Sequence, residues 1–374
     1  MSCFFRVGLL ISLPCLWGCQ RAAELRFVDS KEVAALDEKL QKAIREQLEK
    51  YCGTPTQPRL IDKPEASPAA LARGAEIYRS RCLACHGTTG DGNGAAAQHM
   101  YPRPRDYRAA KFKFSSTPFG VLPLRDDLVR TVRHGAKGTS MPSFALLPEG
   151  DLQAVVDHVL ALTHRGELEL FLAVEAESDG AINLDNTAGY IEEIVANWQK
   201  AESQLIVPET RMPPMTPQSI ELGRIAFTSA SQEAAGCMKC HGEDGRGKTT
   251  DNAKGFVDAW GFQTRAADLT SGMFHGGAEP IDIYRRVYGG ITGTPMPSFK
   301  DKLAKEPDTI WHLVHYVQYI SAARRREVMA ETKARQRARS VGVNWHSKIE
   351  YWRWSPNPRI SWKTLRRRLS SQMS

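Results

Sequence analysis

The sequence predicts a mainly α-helical protein that contains two repeated domains, preceded by a helix and followed by a basic tail. Two short cysteine–histidine motifs, at 82–86 and 237–241, lie 155 residues apart. The only two Met-Pro-Ser-Phe strings, at 141–144 and 296–299, are separated by the same 155 residues. A constant offset between distinct motifs indicates internal duplication. Apolar residues that recur at helical spacing flank both sets of motifs.

Composition limits the class of protein. A chain of 374 residues has room for two or three domains. With 42% hydrophobic and 25% charged residues it has a globular balance, which excludes a collagen-like, wholly disordered or polytopic membrane protein. The net charge of +8 belongs to the tail, because residues 324–374 carry 14 Lys and Arg against 3 acidic residues. The basic charge is therefore not a nucleic-acid signal, and we expect no nucleic-acid partner.

The first 18 residues have the pattern of an export signal. Arg6 precedes an apolar run at 7–17 that is too short to span a bilayer. Leu-Trp-Gly-Cys at 16–19 resembles a bacterial lipobox, which makes Cys19 the predicted lipidation site. Ordinary cleavage or an uncleaved anchor are the alternatives. We expect a periplasmic protein that is held to a membrane by its lipid.

Two segments outside the repeats are also predicted to be helical. Residues 19–66 contain an amphipathic helix that ends near Tyr51, whose apolar positions are Val33, Leu36, Leu40, Ile44 and Leu48. Residues 166–211 are predicted to be an acidic linker with a helix at 190–204. Up to residue 210 this linker has ten acidic residues against Lys200.

The cysteine motifs have the spacing of covalent haem attachment. The six residues of the two C-x-x-C-H motifs are Cys82, Cys85, His86, Cys237, Cys240 and His241. Two thiols on one helical turn can form thioethers with one haem, and the histidine that follows can bind its iron. A redox dithiol or half of a zinc site would share the cysteine spacing. The histidine in both copies and the export signal favour two covalently bound haem c groups. Cys52 is interpreted as a small buried hydrophobe.

Met141 and Met296 are the predicted second axial ligands. Each lies 55 residues after the histidine of its motif. A thioether is a soft ligand for haem iron, and the proline that follows each methionine favours an extended loop over a helix. Packing of these methionines in a core is the alternative. Other candidate ligands, which do not keep the repeat register, are Met100, Met273, His99, His134 and His275.

Each half of the chain resembles a class I c-type cytochrome domain, and the tandem resembles bacterial dihaem cytochromes c. The resemblance covers residues 70–320 and implies domains at 67–165 and 212–323, with the tail at 324–374. In such domains an entry helix leads to the haem motif, a loop brings the methionine, and a final helix crosses the entry helix. Gly74 and Gly223 are the small residues predicted to allow the crossing, against helices at 151–163 and 310–320.

The two halves also differ. The second has about six extra residues at 228–236. The first has a Tyr-Pro-Arg-Pro-Arg loop at 101–105, whose carbonyl is expected to orient His86. The second has no proline at 258–265, so the sequence leaves the orientation of His241 open, and we expect unequal reduction potentials. Arg105 and Arg265 are predicted to bind haem propionates, since guanidinium pairs bidentately with carboxylate.

These features predict an electron carrier. Two haems with both axial positions filled pass single electrons between redox protein partners, whereas an open iron activates ligands. One alternative is a dihaem enzyme of the cytochrome c peroxidase or small-anion dehydrogenase type. Another is a fixed cytochrome subunit of a larger respiratory complex. Contact with anionic lipid is one prediction for the basic, Trp-rich tail. The alternatives are a chain that in relatives continues into another domain, or a sequence error.

Overall fold

The structure is a computed structural model that describes residues 25–229, 235–250 and 252–340. The predicted export signal, Cys19, most of the insertion at 228–236 and the tail beyond residue 340 lie outside the described residues.

The described part of the chain is mainly helical, which confirms the predicted fold class. One short antiparallel hairpin joins β1 (Phe256–Val257) to β2 (Gln263–Thr264). The helices in chain order are α1 (Lys31–Ala34), α2 (Glu38–Cys52), α3 (Pro68–Arg81), α4 (Leu83–His86), α5 (Arg125–His134), α6 (Glu149–Asp179), α7 (Asn186–Glu202), α8 (Pro217–Thr228), α9 (Met238–His241), α10 (Pro280–Gly289), α11 (Lys300–Leu303) and α12 (Asp308–Ser340).

The chain divides into two compact units. Unit 1 contains residues 1–112 and 144–200, and unit 2 contains residues 113–143 and 201–374. The segment 113–143, which carries α5 and Met141, therefore groups with the second half of the chain. The domain boundaries inferred from the repeat remain predictions.

Unit 1 is built around the crossing of α3 and α6. The side chain of Ser67 accepts a hydrogen bond from the backbone N–H of Ala70, and Pro68 occupies the first turn of α3, where its missing N–H costs nothing. Gly74 sits at the crossing, since a Cβ there would lie 2.0 Å from the carbonyl oxygen of Ala154. The predicted role of Gly74 in close helix packing is confirmed.

Two helices of unit 1 differ from the sequence prediction. The N-terminal helix is interrupted, because Asp37 caps α2 by accepting a hydrogen bond from the backbone N–H of Leu40. Helix α6 does not end near residue 163 but continues to Asp179. The residues beyond 163, assigned from sequence to a linker, bury Leu168 and Leu172 in a cluster with Ile44 of α2. The apolar periodicity of α6 thus outweighs the acidic composition of this segment.

Unit 2 repeats the helix crossing with α8 and α12. A Cβ at Gly223 would lie 1.9 Å from the carbonyl oxygen of His312. The core around the crossing contains Phe227, Tyr284 and Trp311. Ile225 of α8 faces away from this core and is half-exposed. Helix α12 extends beyond residue 323, the predicted end of the domain, and includes the first part of the basic tail.

Within unit 2, the segments that precede the two predicted methionine ligands pack against each other with exchanged contacts. The backbone N–H of Gly120 donates to Thr292 Oγ1 at 3.2 Å, and the ring Nδ1 of His275 donates to the carbonyl oxygen of Lys137. Gly120 and His275 are equivalent in the repeat, as are Lys137 and Thr292, because each pair is separated by 155 residues. The contact is therefore made twice with its partners interchanged, as in a pseudo-two-fold interface.

An ion pair joins the equivalent helices α5 and α10 in the same interface. Arg130 of α5 donates to Asp282 of α10 at 2.9 Å, and Asp282 is buried. The repeat equivalents of this pair are Arg285 and Asp127, and Arg285 lies within electrostatic range of Asp127.

None of the helices in the described residues is both long enough and apolar enough to cross a membrane.

The Gly74→Ala substitution should destabilise unit 1. The new methyl group would overlap the backbone of α6, and overpacking of this kind costs about 2 kcal/mol of unfolding free energy. The measurement is a guanidinium titration followed by circular dichroism. Gly189→Ala is the matched control, because Gly189 lies in α7 and a Cβ there would meet nothing within 4 Å. Equal stability of the two variants would contradict the close crossing.

The Asp282→Asn substitution should loosen the interface between α5 and α10. It removes the charge that pairs with Arg130 in a largely buried place, which we expect to cost about 2–3 kcal/mol. The same titration measures the loss. Glu221→Gln is the control, because Glu221 pairs with Arg224 on the exposed surface of α8. A pair of that kind contributes little, so a control that loses as much stability as Asp282→Asn would contradict the assignment.

Candidate functional site

Each cysteine motif folds into a single helical turn. The backbone N–H of His86 donates to the carbonyl oxygen of Cys82 at 2.9 Å, and that of His241 donates to Cys237 at the same distance. The turns are the short helices α4 and α9, and each ends at a glycine with positive φ. This arrangement holds the two cysteines and the histidine of a motif on one compact turn, as thioether attachment of a single haem requires.

Both motif histidines are oriented by a backbone carbonyl. The ring Nδ1 of His86 donates to the carbonyl oxygen of Arg105 at 3.2 Å, and Nδ1 of His241 donates to that of Ala267 at 3.0 Å. Because the proton is on Nδ1, the lone pair of Nε2 is available to a metal. Burial lowers the pKa of His86 to about 4 and also lowers the pKa of His241. Both rings are therefore in the neutral form that metal ligands need.

The carbonyl of Ala267 orients His241 although the second loop has no proline at 258–265. The two loops approach their motifs closely at a glycine. A Cβ at Gly92 would lie 2.6 Å from the carbonyl oxygen of Pro104, and a Cβ at Gly247 would lie 2.3 Å from that of Ala266. The residue that follows each of these carbonyls supplies the acceptor for the histidine. The second loop is seven residues longer and contains the β1–β2 hairpin, which delivers Ala267 without a proline.

The surroundings of the two histidines are unequal. Tyr107 stacks on the ring of His86, with 4.8 Å between ring centroids and 21° between planes. At the equivalent backbone position the second motif has Leu269, since Tyr107 and Leu269 donate to Gly90 and Gly245 in the same way, each at 2.8 Å. An aromatic ring thus supports only the first of the two imidazoles from this position.

The methionine loops repeat atom by atom. The backbone N–H of Met141 donates to Thr139 Oγ1 at 3.1 Å, and that of Met296 donates to Thr294 Oγ1 at 3.2 Å. Each threonine hydroxyl in turn donates to the carbonyl oxygen three residues before it. Gly135 is the first residue of the first loop. A Cβ there would lie 2.6 Å or less from backbone atoms of Met141 and Pro142. These bonds fix the backbone of each methionine within a short loop that follows a helix.

Unit 2 contains the predicted attachment and axial residues of the second site, which are Cys237, Cys240, His241 and Met296. For the first motif, Cys82, Cys85 and His86 lie in unit 1, whereas Met141 lies in the segment that groups with unit 2. The axial roles of Met141 and Met296 remain predictions.

The other candidate ligands have different surroundings. His99 and His134 are exposed, and Met273 is 56% exposed. The Nδ1 of His275 donates a hydrogen bond to the carbonyl oxygen of Lys137. Arg105 is half-buried and supplies the carbonyl for His86, while the side chain of Arg265 is exposed. Sequence reasoning missed the roles of Thr139, Thr294 and Ala267. The threonines keep the 155-residue register, which marks them in the sequence but does not show what their hydroxyls bind.

Comparison with known proteins supports haem binding by the first half of the chain. Residues 69–159 match the family model described as "Cytochrome C oxidase, cbb3-type, subunit III". These residues form a c-type cytochrome domain. The cytochrome domain contains Cys82, Cys85 and His86, and such a domain implies covalently bound haem c. The neutral, carbonyl-anchored His86 and the two cysteines on one turn fit that group.

A solved structure resembles a larger part of the chain. It is a chain of the reducing HAO-like protein complex of Kuenenia stuttgartiensis, 29% identical, with a TM-score of 0.51. The match covers 66% of the present chain and 95% of the other. No protein with a curated description matches the sequence.

Cysteine alkylation should separate Cys52 from the motif cysteines. Cys52 is buried, and burial raises the pKa of its thiol to about 12, so it should not react with iodoacetamide in the native protein. After unfolding, Cys52 should be labelled, while Cys82, Cys85, Cys237 and Cys240 should stay unlabelled as thioethers. Peptide mass spectrometry measures each site. Labelling of either motif in the unfolded holoprotein would show that this motif does not hold haem.

Proposed function

We propose that this protein is an exported dihaem c-type cytochrome that transfers single electrons between redox protein partners. The observation that carries the proposal is the repeated histidine geometry, in which a backbone carbonyl holds Nδ1 and leaves Nε2 available in both motifs. Cys82, Cys85 and His86 would hold one haem. Cys237, Cys240 and His241 would hold the other. Each haem supplies a reversible one-electron couple when bound.

The methionine loops support electron transfer over catalysis. The threonine hydrogen bonds hold the backbones of Met141 and Met296 in the same conformation, so both methionines are equally suited to the second axial position. Iron with histidine and methionine ligands has no open position for a substrate, and methionine raises the reduction potential. A dihaem peroxidase or small-anion dehydrogenase would need one of these irons to be open.

The partners follow from the N-terminus and the solved relative. We propose that the chain is exported to the periplasm and held to a membrane through lipid on Cys19, with the basic tail on anionic lipid. The resemblance to one chain of a reducing HAO-like protein complex favours a second candidate function, a fixed cytochrome subunit of a larger redox complex. Co-purification of a stoichiometric redox protein from the native membrane would select this second function over a mobile carrier.

Optical spectroscopy of the exported holoprotein tests the proposal. The near-infrared sulfur-to-iron charge-transfer band of the oxidised protein should correspond to two methionine-ligated haems per chain. Met141→Leu and Met296→Leu should each remove half of the band, because each removes one ligand. Met273→Leu is the control and should leave the band unchanged.

Three results would contradict electron transfer by two closed haems. They are a haem content of one per chain, a high-spin five-coordinate iron in the resting protein, and rapid turnover of hydrogen peroxide. A single methionine-ligated haem together with peroxide turnover would favour the enzyme alternative.

A further inference from the structure

Arg286 of α10 has an incompletely satisfied guanidinium group in the interior of unit 2. Its Nη1 donates to the carbonyl oxygen of Ser115 at 2.5 Å. Its Nε and Nη2 are buried and have no hydrogen-bond partner among the described residues. A buried N–H without an acceptor is costly, and more so when it belongs to a charged group. The open edge of Arg286 therefore indicates a missing acceptor.

The charges around Arg286 indicate that this acceptor is an anion. Burial, followed by the nearby charge of Arg130, lowers the pKa of Arg286 to about 10, so the guanidinium is still charged at neutral pH. Arg285 is a further nearby cation. The nearby carboxylates are already used: Asp127 accepts from Ser116 and Leu124, and Asp282 accepts from Arg130.

Phe114 and Gly276 lie beside the guanidinium of Arg286, and neither has a side chain that offers it a hydrogen-bond acceptor. The guanidinium carbon lies 5.9 Å from the centroid of the Phe114 ring. Gly276 is next to it, and a Cβ there would lie 2.7 Å from Phe114 and 3.2 Å from Nε of Arg286. The open donors, Nε and Nη2, form one side of the planar fork, which matches the two oxygens of a carboxylate.

We infer that Arg286 binds a propionate carboxylate of a haem, in place of the exposed Arg265 that the sequence suggests. The inference rests on the proposed function. Helix α10 leads directly into the loop of Met296, within the unit that contains the second haem motif. The cation favours the reduced haem and keeps the propionate ionised. Removal of the charge should lower the reduction potential of one haem and allow its propionate to titrate.

Potentiometric titration of the dihaem holoprotein tests this inference at several pH values between 5 and 9. In Arg286→Gln, the reduction equilibrium of one haem should shift about tenfold toward the oxidised form, or about 59 mV for one electron. The potential of that haem should fall as pH rises, because the propionate takes up a proton on reduction. The other haem should keep its potential. Arg224→Gln is the matched control and should leave both potentials unchanged, because Arg224 pairs with Glu221 on the exposed surface of α8.

A second variant separates charge from structure. Arg286→Lys keeps the positive charge, so it should keep a pH-independent potential close to that of the parent protein, even if Arg286→Gln does not fold. The inference would be overturned if Arg286→Gln and Arg286→Lys both lowered the reduction potential by the same pH-dependent amount. It would also be overturned if both reduction potentials were unchanged in Arg286→Gln.

The occupant of the site can be distinguished in the unsubstituted protein. If the potential at constant ionic strength depends on the chloride or phosphate concentration, a free anion occupies the site and the propionate assignment is wrong. Haem content is measured in the same samples. Fewer than two haems in the unsubstituted protein would contradict the proposed function, whereas two haems with no effect of Arg286 would contradict only this inference.

Discussion

The hydrogen bond from a motif histidine to a distant backbone carbonyl is the constraint on which both candidate sites depend. It joins residues 19 positions apart in the first motif and 26 apart in the second. A one-turn helix alone places the histidine on the turn but leaves the rotation of its ring undetermined. The carbonyl fixes the ring and its tautomer together, and glycines such as Gly92 and Gly247 allow the two chain segments to approach closely enough.

In each repeat, the helix crossing positions the motif turn whose histidine makes this hydrogen bond. The entry and final helices cross at glycine against a backbone carbonyl, at Gly74 and at Gly223, which sets the position of the motif turn that follows. In unit 1 the hydroxyl of Tyr78 donates to the carbonyl oxygen of Gly87, directly after the turn. At the equivalent position, four residues after the crossing glycine, unit 2 has Phe227, which has no hydroxyl and packs its ring on Tyr316. The same backbone frame is thus filled by different side chains, which gives the two imidazoles different surroundings.

The interface between α5 and α10 gives the methionine loops a common support. Arg130, Asp282 and the exchanged contacts of Gly120 and His275 tie the segment 113–143 to the second half of the chain. Burial of a charged pair is favourable only when its hydrogen bonds are satisfied. The carboxylates of Asp282 and Asp127 both accept hydrogen bonds, whereas two nitrogens of Arg286 have no acceptor among the described residues. The unsatisfied donors of Arg286 are the feature of this interface that points to a bound group.

The sequence by itself determined the helical class, the two C-x-x-C-H motifs, the repeated methionine loops and the glycines at both crossings. These features depend on local spacing and on residue types that chemistry restricts. Only the tertiary structure decided that Ala267 orients His241, that α6 continues through the acidic segment, that residues 113–143 group with unit 2 and that Arg286 is buried with open donors. A backbone carbonyl is present at every residue, and burial of a charge depends on what packs over it. Neither leaves a pattern in the sequence, because both arise from contacts between segments far apart in the chain.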